Sequence, residues 1–133
     1  SLQVSNNNAV LESTVEPITD FELINDYVLD KTNTGSLVVD PPYQAKIVAR
    51  KAQVWFRTET DSGLPIENIL HKDQQDHFRF VKRFDILINP TNNVDLYWSG
   101  QLVPYLEATP HPAKVTLDGS AKTVTVQHYV PQN

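Results

Sequence analysis

The sequence predicts an all-β domain, an antiparallel sandwich of short strands with at most one or two short helices. Three observations predict it. Apolar and polar residues alternate with a period of two over residues 46–60 and 78–88, as in strands with one buried face. Turn-forming clusters recur at short intervals, among them DPP at 40–42, PTNN at 90–93 and DGS at 118–120. No long amphipathic segment lies between the strand patterns, so the crossover helices of a parallel α/β sheet are missing.

The elements follow in chain order. Residues 1–8 are polar and end in Asn6-Asn7-Asn8, as expected of a frayed terminus. A short apolar segment occupies 9–15. Residues 19–29 carry two signals. Thr19 and Glu22 have capping-box spacing, with Phe21, Ile24 and Tyr27/Val28 near helical intervals, yet Phe21, Leu23, Tyr27 and Leu29 also alternate; a short helix or irregular edge is expected. DKTNTG at 30–35 reads as a loop and 37–39 as a short strand.

Residues 46–60 read as one long strand, with Val48, Ala52, Val54 and Phe56 on one face and Lys51, Gln53, Trp55, Arg57 and Glu59 on the other. Ile66, Ile69 and Leu70 suggest a helical turn over 65–70, followed by a polar loop at 71–77. Residues 78–88 read as a second long strand, with Phe78, Phe80, Phe84, Ile86 and Ile88 on one side. Val94, Leu96 and Trp98 alternate with Asp95, Tyr97 and Ser99, and Pro104 marks the piece at 101–106 as an edge or bulge. Residues 114–117 and 123–130 make a hairpin, whose Asp118-Gly119 turn is expected to use positive φ. Val124, Val126, His128 and Val130 share its inner face.

The 133 residues suit one domain spanning the chain. The absence of cysteine excludes disulfides and thiolate metal sites. The absence of methionine is expected of a processed chain or a fragment. Nothing is apolar for long enough to cross a bilayer or act as a signal peptide. The net charge of −5 disfavours a nucleic-acid partner, since phosphate neutralisation supplies most of that affinity. The basic residues Lys46, Arg50, Lys51, Arg57, Arg79, Lys82 and Arg83 are expected to scatter over both strand faces.

No glycine-rich phosphate loop, GxSxG or HExxH is present, no carboxylate pair stands out, and no cofactor is implied. The chain is therefore expected to be non-enzymatic. His71, Asp73, Asp76 and His77 are the weak metal candidates, because imidazoles and carboxylates together can hold a divalent ion; nothing in their spacing forces them to converge, and a solvated polar loop accounts for them without a metal. His128, on an apolar face, is expected to be a hydrogen-bonded core or interface histidine. Trp55, beside Gln53 and Arg57, and also Tyr97 and Tyr129, point to the polar sides of their strands. Such aromatics serve protein interfaces or stack on sugars, or else are buried by the chain itself.

The stretch KAQVWFRTETDSGLPIENILHKDQQDHFRFVKRFDILIN, 51–89, resembles the middle of small viral jelly-roll coat proteins, those of satellite necrosis viruses and of some circular single-stranded DNA viruses. The RTETDSG turn, the P…IL segment at 65–70 and the RF…KRFDIL run carry the likeness. It implies a jelly-roll-like sandwich that self-assembles, as a virion coat or accessory subunit, and a virion or extracellular location. The partners expected are further copies or other structural proteins. The family's basic amino-terminal arm has no counterpart here. The alternative function is a glycan-binding module or lectin-like adhesin; a small hydrolase is the third.

Overall fold

The computed structural model describes residues 15–61 and 63–133, and among them ten strands and one short helix form. The expectations for 1–8 and most of 9–15 lie outside the described residues. Thr19 caps helix α1 (Asp20–Asp26): its hydroxyl accepts from Glu22 N at 3.0 Å, and the Glu22 carboxylate accepts from Thr19 N at 2.9 Å. The capping box therefore decides the first part of the ambiguous stretch 19–29 in favour of a helix, while Tyr27, Val28 and Leu29 pair with the last strand of the chain.

The strands are β1 (Tyr27–Ser36), β2 (Tyr43–Ala49), β3 (Val54–Thr60), β4 (Ile66–Leu70), β5 (Gln75–Phe80), β6 (Arg83–Asn89), β7 (Val94–Trp98), β8 (Gln101–Leu102), β9 (Ala113–Asp118) and β10 (Thr123–Pro131). They pair antiparallel in two sheets, ordered β1-β10-β9-β6-β3-β4 and β5-β2-β7-β8. The all-β sandwich is thus present. One core lies between the sheets, with Ile47, Phe56, Phe84, Leu96 and Val115 fully buried. Tyr43, Phe80 and Trp98 pack as a ring cluster with centroids 5.3–5.8 Å apart, a spacing at which aromatic pairs add to simple burial.

Each long strand of the sequence reading is in fact two strands in opposite sheets. Residues 46–60 break at 50–53, between β2 and β3, and 78–88 break at Val81-Lys82, between β5 and β6. Both sheets face one core, so a chain that turns the corner keeps burying apolar residues and the alternation continues. The first break leaves a phase slip: Ile47 and Ala49 point inward before it, Val54 and Phe56 after it. Val48 and Ala52 therefore do not share the inner face of Val54.

Four further expectations are corrected. Residues 65–70 hold the edge strand β4, with Ile69 opposite Trp55; hairpin pairing overrides a spacing that a helical turn would also satisfy. DKTNTG lies within edge strand β1, polar because most of its side chains meet solvent. Residues 37–39 join no ladder: Val38 is exposed and Val39 plugs the core. The loop at 71–77 ends early, since 75–77 begin β5.

The β9–β10 turn also differs in mechanism. Positive φ falls on Lys122, at 56°, and not on Gly119. Gly119 is required for room: a Cβ there would stand 2.6 Å from Val81 O and 2.7 Å from the Tyr43 ring. Asp118 Oδ1 accepts from Ser120 N and Ala121 N and shapes the turn.

The two sheets are unequal in width. Residues 103–112 cover the inner surface that the narrower sheet leaves open along β1 and β10. Tyr105 lies against Gly35. Thr91 Oγ1 donates to Glu107 O at 2.7 Å, and Tyr129 N donates to Pro112 O at 3.0 Å. His128, buried on the inner face of β10, accepts from Glu107 N at its Nε2, 3.1 Å away, and so helps fasten this loop. That is the hydrogen-bonded core histidine expected from the sequence.

Candidate functional site

The outer faces of the two sheets contain the candidate residues, and they differ. On the wide sheet, the outward positions of β3 are Trp55, Arg57 and Glu59, and those of β6 are Arg83, Asp85 and Leu87. The segment before α1 and the helix itself lie over them. Ile18, Trp55 and Leu87 form a second buried cluster, flanked by Val15, Leu23, Tyr27 and Ile69. Trp55 is 2% exposed, and its Nε1 donates to Glu67 at 3.2 Å. Arg57 donates to Ile18 O at 2.7 Å and to Asp20 at 2.6 Å, with its guanidinium 5.5 Å from the Trp55 ring centroid. Of the roles weighed for Trp55, burial by the chain itself is the one observed. Trp55 and Arg57 fasten α1 to the sheet.

Beside the helix, a groove of about 380 Å³ runs over Asp20, Leu23, Ile24, Arg57, Glu59 and Asp85. Glu59 and Asp85 sit directly opposite each other across β3 and β6. Asp85 is fully engaged: Arg83 donates to both its oxygens, at 2.7 and 3.2 Å, and Thr116 donates to Oδ1 at 2.6 Å. Those bonds make it a structural acceptor. Sequence reasoning missed this pairing because only the register of β3 on β6 brings the two acids together.

The outer face of the narrow sheet is more open: Gln44, Gln75, His77, Arg79 and Leu102 are exposed, Lys46, Asp95 and Tyr97 half-buried, and Val48 buried. Its register sets out a continuous patch. His77, Lys46, Tyr97 and Leu102 lie side by side across all four strands, with Arg79 and Gln44 in the adjoining row and Gln75 and Asp95 on the other side. Lys46 Nζ stands 4.8 Å over the Tyr97 ring. Arg50 donates to Asp95 at 2.7 Å and to Tyr97 Oη at 2.9 Å. These bonds, that to Asp95 foremost, raise the Arg50 pKa above its ordinary value. Of the basic residues expected to scatter, Arg57 and Arg83 do lie apart on the wide sheet, while Lys46, Arg50 and Arg79 share this face, with Asp95 the one carboxylate among its described register positions.

The remaining candidates do not converge. Gln53 lies at the β2–β3 corner, its Nε2 3.2 Å from His71 Nδ1. Tyr129 is on β10 of the wide sheet, and burial raises its pKa. Asp76 accepts from Asn68 at 3.2 Å, and His77 contacts Gln75 at 2.9 Å. No group of three His, Cys, Asp or Glu side chains with metal-binding geometry occurs among the described residues, so His71, Asp73, Asp76 and His77 are not brought together. Trp55, Tyr97 and Tyr129 likewise form no common platform.

No family model, curated protein or solved structure matches the chain. The stretch resembling coat proteins, 51–89, runs from the β2–β3 corner through β6.

The surface of α1 is a further candidate that the sequence did not reveal. Phe21 and Ile24 are each 74% exposed, one helical turn apart, and Val28 and Leu29 follow, also exposed. Their helical spacing was legible, but which side of so short a helix would face the sheet was not.

Proposed function

We propose that this chain is a non-enzymatic structural subunit that associates with further copies of itself, of the kind that builds a virion shell or one of its accessory parts. The observation that carries the reading is the surface of α1. Two large apolar side chains, Phe21 and Ile24, stand in water on a helix whose other side is fastened down by Leu23, Asp20 and the capping box. Exposed apolar clusters of this kind mark association surfaces. Their cost in solution is recovered when they are covered by a partner.

Light scattering across a concentration series tests the reading. The wild-type chain is expected to form oligomers. The double variant Phe21→Asp/Ile24→Asp is expected to stay monomeric with an unchanged melting temperature, because neither side chain is part of the core. A wild-type chain that remains monomeric at high concentration would overturn the reading. The glycan-binding alternative loses its best aromatic, since Trp55 is enclosed.

A further inference from the structure

We propose that the basic outer face of the narrow sheet is the receptor for α1 of the next copy, so that the subunits join head to tail. The inference rests on the self-association reading and specifies its geometry.

Three observations lead to it. The first is charge. Lys46, Arg50 and Arg79 share one sheet face with, among the described residues, only Asp95 against them, in a chain whose net charge is −5. The rest of the surface is accordingly more acidic than the whole. The first thirty residues contain no Lys, Arg or His. Around α1, Glu16, Glu22 and Asp26 enter no ion pair among the described residues; of the two basic side chains beside the helix, Arg57 is taken by Asp20 and Lys114 lines the groove on the Ile24 side.

The second is chemistry beyond charge. Both surfaces are mixed. The receptor face offers Tyr97, held by Arg50 and Lys46, and the exposed Leu102 beside its cations. The helix offers Phe21 and Ile24 beside its carboxylates. Apolar and aromatic groups among cations complement apolar groups among anions. A nucleic acid or a sulfated polysaccharide would satisfy the cations alone.

The third is placement. The helix covers the outside of the wide sheet, and the receptor face is the outside of the narrow one, with the core between them. The two surfaces point away from each other and cannot meet within one molecule. A contact between different surfaces of identical copies is heterologous, and it produces rings or open chains instead of a two-fold dimer. Four strands spaced roughly 4.8 Å apart give a receptor about 15 Å wide, enough to seat a helix about 10–12 Å across.

Sedimentation velocity on the full chain tests this with paired charge reversals. Lys46→Glu/Arg79→Glu and Glu16→Lys/Asp26→Lys are both expected to weaken association by roughly a hundredfold, while near-ultraviolet circular dichroism stays native. Because each reversed surface complements the other variant, an equimolar mixture is expected to associate again. Rising salt is expected to weaken the wild-type contact. If the wild type associates and neither reversal alters it, the head-to-tail geometry is overturned and self-association stands. If the wild type is monomeric, both fall. If heparin or single-stranded DNA binds the wild type and not Lys46→Glu/Arg79→Glu, with association unaffected, the face serves a polyanion and the proposal is overturned.

Discussion

The outer faces of the two sheets are built from the same alternation of side chains and end in opposite states. On the wide sheet, Trp55 and Leu87 point outward and are covered by Ile18 and α1. On the narrow sheet the corresponding positions are Lys46, His77, Arg79 and Tyr97, of which His77 and Arg79 are exposed and Lys46 and Tyr97 half-buried. Outward aromatic residues can therefore be a second core or a surface. The identity of their neighbours decides which: Trp55 has Leu87 and Ile69 beside it, whereas Tyr97 has Lys46 and Arg50.

The largest expected difference between the faces is in packing. Trp55→Ala empties the second cluster and is expected to cost about 3–5 kcal/mol in denaturant unfolding. Tyr97→Ala removes a partly exposed ring and one hydrogen bond and is expected to cost about 1 kcal/mol. Equal losses at the two positions would mean that the faces are not energetically distinct.

The arginines extend the contrast at smaller magnitude. Arg57 holds Ile18 O and Asp20 through a largely enclosed side chain, so Arg57→Ala is expected to cost about 1.5–3 kcal/mol. Arg79→Ala, on the basic face, is expected to change stability by less than about 0.5 kcal/mol. Thermal melts of the two variants read this directly.

The smallest effects concern the helix cap. Thr19→Ala removes the acceptor for Glu22 N and is expected to cost about 1 kcal/mol. The bond from Thr19 N, and then that to the Thr19 hydroxyl, holds the Glu22 carboxyl below its ordinary pKa. A carboxylate whose pKa is lowered by folding adds stability above its unfolded value, and that stability is lost as pH falls through the folded value. Acid titration is therefore expected to loosen α1 below the usual carboxylate range. Emission from Trp55, measured in a Trp98→Phe background, should move to longer wavelength before the core unfolds.

The sequence made the architecture legible where burial on one core imposes alternation, as over Val94, Leu96 and Trp98 and over Val124, Val126 and His128. It concealed the sheet-to-sheet corners at 50–53 and 81–82, because turning the corner changes the sheet and not the apolar side. Polar composition hid β1, an edge strand largely in solvent. The capping box was readable because it depends on two residues three apart. The basic face was not, since Lys46, His77, Arg79 and Tyr97 meet only through the pairing of β2 with β5 and β7, over separations that local spacing does not encode.

Strand β1 lies along β10, and Gln132 N donates to Asp26 O at 2.8 Å, directly below α1. A fluorescent fusion or affinity tag attached after residue 133 would therefore emerge beside the helix carboxylates Glu22 and Asp26 and crowd them. Labels meant to follow association belong elsewhere, for example on the exposed turn at Ser120-Ala121.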